Sequence, residues 1–148
     1  MTILSTPMKH RKSKLIKLNN RSFDKRGYIT SIIDENTSNT SIILSKKNSI
    51  RSNHYHKKDF HYMYLISGEM HYFYKKINGR KLNYIFLKKG MVIFTPPNEI
   101  HTCFFSKDTK MLVSSKNPRD KRTYEMDTVR IEMLNIHQIK EYIKNIAK

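Results

Sequence analysis

Short β-type segments separated by turn residues run through the middle of this chain, and they constrain its fold more than any other feature. The segments are rich in Ile, Tyr, Phe and Val, which are the residue types that favour strands. We predict nine strands: 28–34, 41–45, 49–56, 61–66, 70–77, 81–87, 91–95, 101–106 and 110–114. Many short strands with regular turns are typical of an antiparallel sandwich or barrel, whereas a βαβ fold alternates strands with helices.

Glycine marks the turns between these strands. All four glycines of the chain lie between predicted strands and none interrupts one. Asn78-Gly79 predicts a tight hairpin, because both residue types tolerate the positive φ angles of a two-residue turn. Gly68 and Gly90 predict two further hairpins.

The C-terminal part of the chain changes to a helical period. Apolar residues recur there at spacings of three and four, which places them on one face of a helix: Ile136, Ile139, Ile143 and Ile146. Asn135 precedes this face and is a suitable N-cap residue. Before it, the polar stretch 115–130 predicts a loop, and 128–133 predicts one further strand.

The length and the cysteine content bound the general class of the protein. A chain of 148 residues fits one domain, because two domains would each be too small to bury a good core. The single cysteine, Cys103, rules out an internal disulfide and favours a reducing compartment, so we expect a cytoplasmic protein. No apolar stretch approaches the roughly 18 residues of a membrane-spanning helix, and no secretory signal is evident.

The net charge of +17 predicts an anionic partner, although part of it reflects a composition rich in Lys, Ile and Asn. Eight of the basic residues fall within residues 1–26, beside a single acidic residue. We expect residues 1–22 to form a solvated basic arm. The alternative is an arm that binds an anion such as nucleic acid, which we do not favour.

Five of the seven histidines lie between residues 54 and 101. His54 and His56 are two residues apart on a predicted strand, so their side chains share a face. Two imidazoles on one face, with a third group from a neighbouring strand, can enclose a metal ion. The pair alone is a weak signal, but His61 follows closely and His101 begins another strand.

These histidines also carry a resemblance to a known family. Residues 54–61 (HYHKKDFH), followed by Gly68, resemble the first motif of the cupin superfamily. Residues 90–101 (GMVIFTPPNEIH) resemble the second cupin motif. The resemblance covers roughly residues 23–115. It implies an all-β fold, a small antiparallel barrel of the jelly-roll or double-stranded β-helix type, to which we add the C-terminal helix.

The chain departs from the cupin pattern at two positions. His61 stands where most cupins have Glu, and Asn98 stands where they have Gly. Asn98 is a mild change, because Asn tolerates left-handed backbone angles. In a metal-binding cupin the ligands would be His54, His56, His61 and His101, around a divalent ion such as Zn, Ni, Fe or Mn. The alternative is that His61 indicates a site without metal.

A narrower resemblance concerns the cupins that act on nucleotide-linked sugars. Residues 24–32 (DKRGYITSI) and 51–58 (RSNHYHKK) are similar to motifs of the dTDP-4-keto-6-deoxyglucose 3,4-ketoisomerases and, more distantly, of the dTDP-sugar 3,5-epimerases. The ketoisomerases also lack Glu at the position of His61 and use their histidine pair for proton transfer without metal. The acidic, tyrosine-rich tail of those enzymes is missing here, so the particular reaction does not carry over.

The resemblance implies roles for individual residues. The protons beside the carbonyl of a keto sugar are acidic, and His is the natural general base near neutral pH. His54 and His56 would therefore carry the catalysis, one as base and the other as acid or orienting group. We expect three cations and one phenol to bind the substrate and its diphosphate: Arg26, Arg51, Lys57 and Tyr64.

These observations together predict one domain with three parts. Residues 1–22 are the basic arm, 23–116 the barrel, and 117–148 a loop, a further strand and the terminal helix. We expect a homodimer and an isomerase or epimerase of a nucleotide-linked keto sugar. Two alternatives remain open: a metal-dependent oxygenase with histidine ligands, and a non-catalytic module that binds nucleic acid or another anion.

Overall fold

The computed structural model describes residues 12–148. In this part of the chain it has twelve strands and two helices. The strands are β1 (Lys14–Ile16), β2 (Asn20–Asp24), β3 (Gly27–Thr30), β4 (Asn39–Ser45), β5 (Ile50–His56), β6 (His61–Ser67), β7 (Glu69–Lys76), β8 (Asn83–Lys88), β9 (Val92–Thr95), β10 (Glu99–Phe104), β11 (Thr109–Ser115) and β12 (Thr128–Arg130). The helices are α1 (Lys121–Asp127) and α2 (Ile136–Ile146).

Two five-stranded sheets form the barrel. One has the strand order β1-β9-β6-β11-β4 and the other β12-β5-β10-β7-β8, and every pair in both is antiparallel. A core of apolar side chains from both sheets lies between them, including Leu65, Met70, Tyr72 and Phe105, each completely buried. The predicted antiparallel cupin barrel with a C-terminal helix is confirmed.

The turns at Gly68 and Gly90 connect one sheet to the other, so the two further hairpins predicted there are wrong. Strand β6 ends just before Gly68 and pairs with β9 and β11, whereas β7 begins just after Gly68 and pairs with β8 and β10. Gly90 likewise lies between β8 of one sheet and β9 of the other. A turn signal shows where the chain changes direction, but it does not show which strands pair.

The hairpin predicted at Asn78-Gly79 is present, since β7 and β8 pair with Tyr74 opposite Asn83. Its connection is longer than two residues, and the Gly79 amide donates to the carbonyl of Lys76 over 2.9 Å. Neither Asn78 nor Gly79 adopts a positive φ. The turn is therefore not of the tight type that the dipeptide predicted.

The barrel begins before residue 23, contrary to the predicted boundary. Strand β1 pairs with β9, with Leu15 opposite Ile93, so this segment is an edge strand and not part of a solvated arm. Residues 1–11 of the predicted arm lie outside the described residues. Among the strands that the structure describes, β2 and β3 pair only with each other and form a separate two-stranded sheet.

The stretch predicted as a loop, 115–130, contains helix α1. Asp120 caps this helix by accepting a hydrogen bond from the Thr123 amide over 2.9 Å. The helix has seven residues, too few for its apolar period to be visible in the sequence. Strand β12 follows directly and is shorter than the predicted strand 128–133, ending at Arg130.

Helix α2 is confirmed with its predicted cap. The Asn135 side chain accepts from the Gln138 amide, and the Gln138 side chain accepts from the Asn135 amide, which completes a capping box. Ile139 is completely buried and packs in one cluster with Phe73 and Phe104. Neither α1 nor α2 has the length and apolar composition needed to cross a membrane.

Candidate functional site

A cavity of about 260 Å³ opens inside the barrel. One part of its wall is polar or charged: Arg51, Ser52, His54, His61, Arg119, Tyr124 and Arg130. The other part is mostly apolar: Ile43, Ile50, Met63, Cys103, Phe105, Met111 and Val113. The cavity can therefore hold a small molecule that has one polar and one apolar side.

Four imidazoles from three strands lie together at the polar part: His54 and His61 line the cavity, and His56 and His101 pack against them. His54 and His56 lie on β5, His101 lies opposite His54 on β10, and His61 reaches in from β6 of the other sheet. The ring centroids are 4.6 Å apart for His54 and His56, and 4.8 Å for His54 and His101. His56 and His61 are also 4.6 Å apart. The predicted grouping of His54, His56 and His101 is thus present in the structure.

Burial keeps three of these imidazoles neutral. It lowers the pKa of His54 to about 2, with further lowering from the neighbouring histidines. Burial likewise lowers the pKa of His56 and of His101 to about 3. A neutral imidazole keeps a free nitrogen lone pair, so each ring can interact through it with a metal ion or with a bound substrate.

His61 differs from the other three because its ring makes a hydrogen bond to a carboxylate. Its Nε2 atom lies 2.9 Å from Oδ2 of Asp59, and both residues are buried. Burial alone would raise the pKa of Asp59, but the hydrogen bond from His61 and that from the Asn117 amide leave it below its ordinary value. Asp59 is therefore a carboxylate that fixes the ring of His61.

His56 has one ring nitrogen that lacks a hydrogen-bond partner in the part of the chain that the structure describes. Its Nδ1 atom lies 3.3 Å from the Thr128 hydroxyl and 3.7 Å from a carboxylate oxygen of Asp127. Its Nε2 atom is buried and has no hydrogen-bond partner within residues 12–148. A buried polar atom left unpaired is costly and is therefore a mark of a ligand-binding position.

The donor set fits a divalent metal ion at three histidines. Ligand nitrogens of His54, His56 and His101 all lie within 4.8 Å of one another. The three rings are neutral, as metal ligation requires, and the unpaired nitrogen of His56 belongs to this group. His61 does not join the three, because it groups with His56 and Asp59. The structure therefore places His61 beside His56 but outside the group formed by His54, His56 and His101.

Of the four residues predicted to bind substrate, only Arg51 lines the cavity. Lys57 is exposed and donates to the carbonyl of Met126. Arg26 lies in the turn between β2 and β3, where it pairs with Asp24. Tyr64 packs on the opposite face of its strand, in an apolar cluster with Phe60, Tyr62, Val92 and Phe94. Tyr64 faces away from the cavity because side chains alternate along a strand and its neighbour Met63 faces inward.

Three residues of the C-terminal segment complete the cavity and were missed in the sequence. The Tyr124 ring lies 5.6 Å from His56 and 6.3 Å from His54. The Arg119 guanidinium lies over that ring at 5.7 Å. Arg130 stands opposite His54 in the β12–β5 pair, and both its terminal nitrogens donate to Glu125 over 2.8 Å. The only signal in the sequence is the basic character of the stretch 116–130.

Cys103 lies in the cavity wall and is almost completely buried. Burial raises the pKa of its thiol to about 12, so the nucleophilic thiolate does not form near neutral pH. Cys103 therefore packs as a small apolar side chain in the main apolar cluster.

Comparisons with known proteins support the fold. No protein-family model matches the chain, and no curated protein matches it significantly. Among solved structures, the chain is similar to a mutant of the 3,4-ketoisomerase QdtA from Thermoanaerobacterium thermosaccharolyticum, in complex with TDP-4-keto-6-deoxyglucose. The TM-score is 0.64 and the identity 21%, over 80% of this chain and 87% of that one.

Two further structures show the same similarity. A 3,4-ketoisomerase from Helicobacter canadensis matches with a TM-score of 0.65 and 18% identity, over 94% of this chain and all of that one. The TDP-quinovose 3,4-ketoisomerase WlaRB from Campylobacter jejuni matches with a TM-score of 0.66 and 19% identity, over 82% and 94%. The chain thus has the cupin barrel fold with a histidine-lined cavity. Within that fold it resembles the 3,4-ketoisomerases of nucleotide-linked sugars, as its motifs predicted.

Proposed function

We propose that this protein is a sugar-nucleotide isomerase that moves the carbonyl group of a nucleotide-linked 4-keto-6-deoxy sugar between adjacent carbons. The observation that carries the proposal is the cluster of three neutral imidazoles, His54, His56 and His101, of which His54 lines a cavity with arginines in its wall. The similarity to structures described as 3,4-ketoisomerases supports it.

The reaction needs only proton transfer. A base removes the proton from C3, next to the C4 carbonyl, and the electron pair of the C–H bond forms an enediolate with the carbonyl oxygen. A proton then returns at C4, and the proton of the C3 hydroxyl passes to the C4 oxygen, which leaves the ketone at C3 and a hydroxyl group at C4. His54 and His56 are the proposed acid and base, since they share one face of β5 and lie next to each other.

Tyr124 and the apolar wall of the cavity complete the sugar site in this proposal. Burial raises the pKa of Tyr124, so its phenol keeps its proton and can donate a hydrogen bond to a sugar oxygen. The apolar residues Met63, Met111 and Val113 offer contact to the methyl group of a 6-deoxy sugar.

The size of the cavity indicates which part of the substrate enters it. About 260 Å³ is below the usual range of roughly 300–1,000 Å³ for drug-sized ligands, so the cavity suits the sugar and not the whole nucleotide. The diphosphate would then contact the arginines in the wall, Arg51, Arg119 and Arg130. Arg26 and Lys57 have no part in this arrangement within one copy of the chain.

Metal binding is a separate proposal from the isomerase reaction. His54, His56 and His101 would hold a divalent ion such as Zn, Ni, Fe or Mn. When bound, it would supply Lewis-acid polarisation of a substrate oxygen. Metal analysis of untagged protein is the test, and a stoichiometric ion should be lost in a His54→Ala, His101→Ala double variant. The comparisons favour neither the oxygenase nor the anion-binding module.

The test of the proposed function is proton exchange followed by ¹H NMR. TDP-4-keto-6-deoxyglucose is incubated with the protein in D₂O, and we expect deuterium at C3 together with a 3-keto product. His56→Ala should abolish the exchange, while the exposed His137 provides a matched control, His137→Ala, that should retain it. Absence of exchange with the wild-type protein, or full exchange with His56→Ala, would contradict the proposal.

A further inference from the structure

Strand β5 contains a bulge immediately before His54. On the neighbouring strand β10, His101 pairs with His54 and Thr102 pairs with Ser52, so Asn53 has no partner in this register. Ser52 and Asn53 have φ angles of 73° and 53°, two consecutive residues other than glycine in the left-handed region. Such a conformation persists only where the surrounding structure holds it.

The bulge determines what faces the cavity. Residues directly opposite each other in an antiparallel pair share a face of the sheet. Arg51 is opposite Cys103 and His54 is opposite His101, and all four face the barrel interior. Residues three apart on a regular strand point to opposite faces, so Arg51 and His54 can both face the interior only because one extra residue lies between them.

The Asn53 side chain holds this bulge through four hydrogen bonds. Its Oδ1 atom accepts from the Thr102 hydroxyl at 2.5 Å and from the amides of Met133 and Leu134 at 3.2 and 3.3 Å. Its Nδ2 atom donates to the carbonyl of Leu134 at 3.0 Å. The Asn53 carbonyl also accepts from the Ile131 amide at 2.9 Å. The bulge is therefore attached to the segment between β12 and α2.

We propose that Asn53 is a positioning residue that sets the orientation of His54 by fastening the β5 bulge to residues 131–134. The C-terminal segment thereby becomes part of the scaffold of the site. Arg51 has its own anchors, because its guanidinium donates to the Ser45 hydroxyl and the Leu44 carbonyl. Loss of the Asn53 side chain should therefore affect His54 much more than Arg51. This role rests on the proposed isomerase function for its kinetic consequence only.

The central variant is Asn53→Gly, because glycine tolerates the left-handed backbone but lacks the side chain. We expect kcat for TDP-4-keto-6-deoxyglucose to fall about 10- to 100-fold, the usual effect of losing a group that orients a functional side chain. The KM should change less than about 3-fold, because binding through the arginines is retained. If Asn53→Gly does not fold, Thr102→Val is the variant to use instead. It removes a single hydrogen bond to Asn53 and should lower kcat by a smaller factor.

A second readout separates this role from the proposed function. In ¹H–¹⁵N spectra of the imidazoles, Asn53→Gly should shift or broaden the His54 signals and leave those of His61 unchanged, because Asp59 holds that ring. This holds even if the keto sugar is not the substrate. Asn135→Ala, which removes the cap of α2, is the control for a general loss of stability. Unchanged His54 signals in Asn53→Gly, or the same changes in Asn135→Ala at equal stability, would overturn the role of Asn53.

Discussion

Lowering the pH from 7 to 5 should destabilise the folded protein steeply through its buried histidines. His54, His56 and His101 are at most 7% exposed, and their pKa values in the folded chain are about 2, 3 and 3. In the unfolded chain each returns to about 6.5. The unfolded chain therefore binds more protons between these values, so stability is complete above pH 6.5 and declines as the pH falls below it.

The size of the effect follows from the linkage relation. At pH 5, protonation of one histidine with a pKa of about 6.5 lowers the free energy of the unfolded chain by about 2 kcal/mol. The folded chain, in which the same histidine stays neutral, has no such gain. Three independent histidines would give about 6 kcal/mol as an upper bound, which is comparable with the total stability of many domains, about 5–15 kcal/mol. We therefore expect the protein to be close to unfolding at pH 5.

Urea unfolding at pH 7 and pH 5, with a chelator present, measures this loss. Titrating carboxylates contribute to the wild-type value, so the informative quantity is the difference between wild type and His54→Gln. Glutamine retains a polar side chain and does not titrate, so the loss of stability between the two pH values should shrink by about 2 kcal/mol. An equal loss in both proteins would refute the claim that His54 is buried as the neutral imidazole.

Three further predictions concern the fold, the ligand and the assembly. Gly68→Ala should destabilise the protein clearly more than Gly90→Ala in urea unfolding. Both glycines have a positive φ, of 88° and 85°, but a Cβ would collide with Thr109 at Gly68 and meet nothing within 4 Å at Gly90. Equal losses would contradict this. Arg130→Ala should weaken TDP binding about 10-fold in calorimetry, whereas Lys57→Ala should leave it nearly unchanged. The reason is that Arg130 lines the cavity and Lys57 does not. The reverse order would contradict the assignment of the cavity wall. Phe23 is 78% exposed on the β2–β3 sheet, so light scattering should show a homodimer that Phe23→Ser weakens. A monomeric wild type would contradict the proposed dimer.

Features that depend on short stretches of chain could be predicted from the sequence. The strands of the barrel lie close to their predicted positions because apolar and β-branched residues alternate within a few residues. His54 and His56 share a face because the strand period is two. The cap of α2 by Asn135 needs only the next three residues.

Features that join distant parts of the chain were decided by the tertiary structure. Gly68 predicts a turn whether the chain forms a hairpin there or crosses to the other sheet. Only the pairing of β6 and β7 with different partners shows that the chain crosses between sheets. The bulge at Asn53 is stabilised by residues about 80 positions further along the chain. Tyr124 reaches the histidines only because β12 adds to the edge of β5. Local sequence determines backbone angles and periodicity. Which strands become neighbours depends on how all the apolar faces are buried together, so the chain by itself determined the barrel and its histidine pair, and the packing decided what surrounds them.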